Sequence, residues 1–242
     1  MMHVRSYIKK QNFQPGKLGI ITNPFYSARN GLYKNIIKLS PYFGGRLLDV
    51  GCGQKPYHNL FAVDDYIGME IDTPNNRHNK NVDVFYDGHT FPFLDDSFDG
   101  VLTNQVFEHV FNPSRFIEEI RRVLRPGGHL LLSAPFSWDE HEQPYDFARY
   151  SSFGMRYILE NNGFTIVEQH KSVTGIKALF QLLNSYLYKI TRRNIGFFHL
   201  KHIGAILFPF VTITGELSAL LLPKSEDLYL DNVILARKKA DA

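Results

Sequence analysis

One stretch constrains this chain more than any other: Leu47–Tyr57, LLDVGCGQKPY. An apolar run ends in an acid, two glycines flank the only cysteine, and a proline follows. This is the pattern of a buried strand turning sharply toward a helix, with bare backbone where a ligand can approach. Gly44 and Gly45 lead into the strand, Arg46–Val50. Pro56 suits the first turn of the expected helix, where its missing N–H costs nothing.

The rest of the chain repeats this alternation. Further strands are expected at Tyr66–Ile71, Val82–Tyr86, Gly100–Asn104, His129–Ala134, Thr165–Lys171 and Leu228–Arg237. Helices are expected at Ser27–Leu39, from Asn112-Pro113 to the stop at Pro126-Gly127-Gly128, and at Ser152–Asn162. Strands alternating with helices imply an α/β, Rossmann-like three-layer sandwich around a mostly parallel sheet. The reading divides the chain into an arm and leading helix (1–44), a core (45–171 plus 228–242) and an apolar insertion (172–227). Within the insertion, Ile203–Leu222 is apolar enough, and about long enough, to be scored as a membrane span. Gly204, Pro209, Gly215 and Glu216 interrupt it, and a strand must rejoin the sheet soon afterwards. Packed helices forming a lid, an oligomer face or a membrane-resting surface over 203–222 are expected instead.

Composition narrows the partners. A formal charge of +3 over 242 residues, with no basic stripe, argues against a nucleic-acid partner. One cysteine excludes an internal disulfide and a cysteine metal cluster, and no metal site is expected. The N-terminal residues lack an apolar core of signal-peptide length, so a cytoplasmic location, with contact at a membrane surface as one use of the insertion, is the expectation.

Four acid or amide positions fall just beyond strand ends, where open α/β sheets bind ligands: Asp49, Glu70, Asp87 and Asn104. Glu70 follows Gly51 by about twenty residues, the spacing of a carboxylate that grips a ribose diol. Asp87, before Gly88, can accept from an adenine amino group. Together these point to an adenosine-containing ligand. A dinucleotide turn needs a third glycine where this chain has Pro56, which argues against NAD or FAD and a nicotinamide-dependent oxidoreductase.

LLDVGCG, YIGMEID, DGHTFPFLDDSFDGVLTNQVFEHV and RVLRPGGHLLLSAP, in that order, resemble the class I S-adenosylmethionine-dependent methyltransferases. The resemblance runs from about Gly45 to Pro135. It implies an antiparallel seventh strand and S-adenosylmethionine as cofactor. It also implies that Asp49, Gly51, Cys52 and Gly53 line the methionine portion, Glu70 holds the ribose, and Asp87 and Gly88 hold the adenine. Asn104 is implied to meet the methionine amino group through side chain or backbone. Lys55 stands where the family often has a third glycine, and Asp72 rivals Glu70 as the ribose acid.

Methyl transfer to a hydroxyl requires alignment, exclusion of water and removal of a proton. The loop after the fifth strand, APFSWDEHEQPYDFARYSS, sets polar groups among aromatics, as an acceptor pocket does. His141 is the expected general base, assisted by Asp146, with Arg149 binding an anionic part of the acceptor; an Asp146–Arg149 brace is the competing reading. His109 is a further candidate near the chemistry, more often structural in this setting. Cys52 reads as a small buried filler. The acceptor class stays open between a small molecule, a glycan and a lipid-linked compound. A non-catalytic cofactor-binding scaffold is the alternative function, and the oligomeric state is left open.

Overall fold

The computed structural model describes residues 10–78, 81–192 and 201–240. The expected arm therefore lies outside the described residues as far as position 9, and part of the insertion lies outside them at 193–200.

Seven strands form one sheet: β1 (Arg46–Val50), β2 (Asp65–Ile71), β3 (Val84–Tyr86), β4 (Phe98–Asn104), β5 (Leu124–Pro135), β6 (Phe164–Thr174) and β7 (Tyr229–Lys238). Their order is β3-β2-β1-β4-β5-β7-β6. β1 runs parallel to both β2 and β4, with Asp49 opposite Gly68 on one side and Leu102 on the other. β7 enters between β5 and β6 in the opposite direction. Ser137 N–H bonds to the Leu230 carbonyl, Gly175 N–H to that of Leu228, and Lys239 N–H to that of Gly163. This is the Rossmann-like sandwich with an antiparallel last strand that the alternation and the resemblance called for.

The central strands are apolar on both faces because both faces are covered. Leu47, Leu48, Val101, Leu130 and Leu132 are all fully buried. The helices of the sandwich are α1 (Tyr26–Leu39), α2 (Pro113–Val123) and α3 (Ser152–Asn161). The Asn112 side chain caps α2 by accepting from Arg115 N–H, and Pro113 opens it. Phe116, Ile117, Ile120 and Val123 then fall on one buried face. Ser151 caps α3 in the same way, through Gly154 N–H.

Two of the motifs prove to be one mechanical unit. Arg122, from the RVLRPGG motif, donates to the carbonyls of Phe91 (2.9 Å) and Phe93 (2.8 Å) in the loop before β4. It also pairs with Glu119 and Asp95, each at 2.8 Å, and Glu119 in turn accepts from Phe91 N–H at 2.7 Å. The loop that follows Asp87 is thereby fastened to α2.

One expectation fails. No α-helix follows the glycine turn; the segment after Pro56 holds only a single 3-10 turn, His58–Leu60. Lys55 has a φ of +50°, which interrupts any right-handed run just before the proline. Tyr57 and Phe61 are buried, and β2 begins at Asp65.

The chain divides into two compact units. The larger holds Asn35–Phe136, Glu140–His170 and the chain from Asn232 onward, and with them all the expected site residues. The other draws on the chain up to Lys34, Ser137–Asp139 and Lys171–Asp231. It contains α4 (Ile176–Arg192) and α5 (Lys201–Leu221), which pack on each other. Asn184 bonds to Thr212 at 2.8 Å, and Lys177 pairs with Glu216 at 2.6 Å, which accounts for an acid inside an apolar stretch. Ile206, Phe210, Leu217 and Leu220 of α5 are exposed. No described helix is long and apolar enough to cross a membrane.

Candidate active site

The turn after β1 is built from inside outward. Gly51 has a φ of +72°, and a Cβ there would strike Val106. Its N–H and that of Cys52 both bond to the Met69 carbonyl, at 2.9 and 3.2 Å. Gly53 N–H goes to Glu70 Oε2 at 3.1 Å, and Lys55 N–H to the Cys52 carbonyl. A Cβ on Gly53 would meet nothing within 4 Å, so this side of the turn is open. The N–H groups of the turn are thus engaged within the protein, and the side chains near the opening are acceptors.

Two carboxylates stand there. Asp49, only 4% exposed, accepts from the Tyr66 hydroxyl at 2.7 Å. Burial pushes its carboxyl up to about 7, against the opposing pull of that hydrogen bond. Glu70 also accepts from Ile71 N–H, and burial raises its carboxyl as well. Asp72, the rival, is engaged by Arg77 through contacts of 2.5 and 2.6 Å. Lys55 keeps the left-handed backbone of the expected glycine and carries its ammonium to Asp83, which also accepts from Gly68 N–H at 2.7 Å.

Asp87 closes the turn after β3 by accepting from His89 and Thr90 N–H at 2.8 and 2.9 Å through one carboxylate oxygen. Those donors hold its carboxyl below the usual range. Gly88 follows at a φ of +83°. The Asn104 side chain accepts from the Ser133 hydroxyl at 2.7 Å, so it is tied to β5. Cys52 is buried, with its thiol pushed up to about 12 by burial first and by the nearby acids second. A thiol raised in this way disfavours the thiolate that a nucleophile needs.

A second group assembles on the turn Phe107–His109 and the loop after β5. Phe147 and Ala148 donate their N–H groups to the Glu108 carbonyl at 2.9 and 3.3 Å, pulling the loop onto this turn. His109 Nδ1 lies 2.7 Å from the Tyr145 carbonyl. His141 Nδ1 lies 3.3 Å from Asp146 Oδ2, and the same oxygen accepts from His141 N–H at 3.0 Å. Arg149 clamps Asp146 with contacts of 2.5 and 2.6 Å. That guanidinium is the main reason the Asp146 carboxyl is held down at about 2. The expected His141–Asp146 pair is therefore present, and so is the Asp146–Arg149 brace.

Glu108 escaped the sequence reading, although it sits beside His109 in the FEHV block. It is fully buried, and neither carboxylate oxygen has a hydrogen-bond partner among the described residues. Its Oε1 lies 3.7 Å from the Nε2 atoms of both His109 and His141. A glutamate buried in a short apolar-flanked turn was the available signal. Asp139, from the same loop, pairs with Ser185 and Lys189 within the smaller unit. The loop's Glu142 lies 3.9 Å from His109 Nε2, and its charge adds to the upward shift of Glu70. The two groups of residues thus lie within electrostatic reach of each other.

A polar cleft lined by Asp95, Glu118, Arg121 and Lys238 opens elsewhere on the core and holds none of the expected site residues.

The family described as "Methyltransferase domain" matches residues 48–132. A protein of Mycolicibacterium smegmatis named "Probable S-adenosylmethionine-dependent methyltransferase" is 31% identical over 136 residues, covering 51% of this chain and 53% of the relative. The chain spans about a third to a half of the length of the curated relatives it matches. Among solved structures, phosphoethanolamine N-methyltransferase 2 of Haemonchus contortus, in complex with S-adenosyl-L-methionine, matches with a TM-score of 0.54 at 16% identity, over 97% of this chain and 57% of that one. The [4+2]-cyclase SpnF matches with a TM-score of 0.53 at 20% identity, over 89% of this chain and 83% of that one. At these identities the structural likeness speaks for the fold alone.

The residues present fit S-adenosylmethionine. A pyrophosphate needs the N–H groups of its glycine turn, whereas this turn has engaged its own and offers two carboxylates short of positive charge. An ammonium, a sulfonium and a ribose diol are complementary to that surface. The motifs in order, the match of residues 48–132 to the methyltransferase-domain family and the sheet topology all support an S-adenosylmethionine-dependent methyltransferase core of the class I kind.

Proposed function

We propose that the protein transfers a methyl group from S-adenosylmethionine to an oxygen of a small-molecule, glycan or lipid-linked acceptor. The observation that carries this reading is the glycine turn whose N–H groups are engaged internally while Asp49 and Glu70 supply acceptors beside open space. When bound, the cofactor supplies an electrophilic methyl on a leaving sulfide that needs no proton. The work left to the chain is to bind, orient and deprotonate.

In this reading Glu70, already fastened to Gly53, accepts from the ribose hydroxyls, while Asp87 and Gly88 border the adenine. Asp49 and the Gly51–Gly53 turn face the methionine end. Asn104, tied up by Ser133, contributes through its backbone. The acceptor's proton leaves toward the Glu108–His109–His141 group, with Asp146 keeping the His141 Nδ1 proton in place.

Titration of the full chain with S-adenosylmethionine tests the first half. Glu70→Ala should weaken binding by about 100-fold, the loss of two hydrogen bonds to a charged group, with the circular dichroism unchanged. Unchanged affinity removes the ribose role. For the second half, His141→Ala should lower turnover by about 100-fold or more while cofactor affinity holds; turnover within a few-fold of wild type removes His141 from the chemistry. SpnF carries a different reaction by its printed name, so conversion of S-adenosylmethionine to S-adenosylhomocysteine on addition of acceptors decides between methyl transfer and a scaffold of the same fold.

A further inference from the structure

Glu108, His109 and His141 each bring one ligand atom to within 4.8 Å of the others, and Glu108 Oε1 lies 3.7 Å from both Nε2 atoms. A carbonyl oxygen can only accept, so the Tyr145 contact puts the His109 proton on Nδ1 and leaves a lone pair on Nε2. His141 likewise turns Nδ1 to Asp146 Oδ2, 3.3 Å away, and so presents Nε2 to Glu108. Three acceptors thus face one point, and among the described residues nothing donates to either oxygen of Glu108.

A cation belongs at that point. Both imidazole Nε2 atoms stand 3.7 Å from Glu108 Oε1, beyond hydrogen-bond length, so neither ring satisfies that oxygen directly. Arg149 is committed to Asp146. We propose that Glu108, His109 and His141 bind a divalent transition-metal ion through Oε1 and the two Nε2 atoms.

The surrounding architecture is that of a metal site. Ligating histidines characteristically give their outer nitrogen to a carbonyl or carboxylate, which fixes tautomer and ring direction. His109 does so with a carbonyl and His141 with a carboxylate. The rings stand 78° apart with centroids 4.8 Å from each other, so their lone pairs approach from different sides. Tetrahedral bonds of about 2.1 Å imply ligand edges of about 3.4 Å, so the observed separations must close by a few tenths of an ångström at Glu108 and by more between the imidazoles. Two imidazoles and one carboxylate suit zinc and its first-row neighbours and do not suit magnesium or calcium, which take oxygen shells. Glu142 Oε2, 3.9 Å from His109 Nε2 on a side chain 76% exposed, is in position to close the shell or to yield to water. The ion would hold the loop after β5 to the Phe107–His109 turn. A hydroxyl of the acceptor taking its open position would be acidified there, a role that replaces His141 as a free base.

The binding measurement needs no cofactor or acceptor, so it stands or falls apart from the methyl-transfer reading. The full chain, stripped with a chelator, is titrated with Zn²⁺ by calorimetry, and with Co²⁺ by its visible absorption. One equivalent should bind, with Co²⁺ bands of a low-coordinate nitrogen and oxygen site. His109→Ala and His141→Ala should each weaken Zn²⁺ at least ~100-fold, and Asp146→Asn, which touches only the outer nitrogen of His141, by ~10–100-fold. Glu108→Gln keeps the side-chain shape and should weaken it comparably with unchanged circular dichroism. His170→Ala, in the separate Lys38–Glu168 pair, should leave binding as in wild type. A wild-type chain that shows no saturable binding overturns the proposal. So does binding that survives both histidine variants, or Mg²⁺ binding more tightly than Zn²⁺.

Discussion

Asp49 and Asp146 are two shielded aspartates in the same unit, and their surroundings push them in opposite directions. Asp49 has one neutral donor, the Tyr66 hydroxyl, and burial carries its carboxyl up to about 7. Asp146 has a guanidinium across both oxygens and a backbone N–H, which hold it at about 2. The first is a carboxylate lacking positive charge at the edge where a cationic ligand is expected. The second is supplied with charge by its own chain and serves as a brace. Burial alone therefore does not mark a ligand site; an unmet electrostatic demand does. Glu108 carries that demand furthest, since it is fully buried and neither of its oxygens has a hydrogen-bond donor among the described residues.

The comparison can be broken in steps of decreasing size. The largest effect is expected at Asp49. Its folded carboxyl lies above the unfolded value, so its contribution is fully present below about pH 4 and lost as pH rises through about 7. Asp49→Asn keeps an acceptor for Tyr66 and cannot ionise. Denaturant melts should show the variant gaining up to ~4 kcal/mol on wild type between pH 4 and pH 8; parallel pH profiles would mean that Asp49 is not strained. Next comes Arg149→Ala, which leaves Asp146 shielded and unpaired and should cost about 3 kcal/mol in the same melts. A cost under about 0.5 kcal/mol would reduce the brace to a surface pair. The smallest effect belongs to Cys52→Ala, where loss of a small buried side chain should cost about 1 kcal/mol and leave cofactor affinity unchanged. A large loss of affinity there would give the thiol a role that its raised pKa denies it.

The two regions also differ in how far the sequence announces them. The cofactor edge is local: an acid, two glycines and a spaced glutamate lie in strand-turn segments whose geometry follows from short-range chemistry. Spacing left Asp72 as a rival to Glu70, and only the family resemblance preferred Glu70; in the structure Glu70 meets Gly53 N–H while Asp72 is engaged by Arg77. The absent helix after Pro56 was misread because a proline permits a helix start without requiring one, while a left-handed Lys55 is invisible in the letters. Arg122 was read only as part of a motif; its grip on the Phe91 and Phe93 carbonyls needs the loop and α2 together.

By itself, the sequence determined the alternation of strands and helices, the strand ends that gather the acids, and a turn suited to an adenosine-containing ligand rather than a dinucleotide. Those depend on periodicity, glycine conformation and residue spacing, which are properties of neighbouring residues. Only the tertiary structure decided that Glu108 faces two histidines, one of them thirty-three residues further along the chain. That meeting depends on the Phe147 and Ala148 N–H groups bonding to the Glu108 carbonyl, a closure between distant segments that no local pattern encodes.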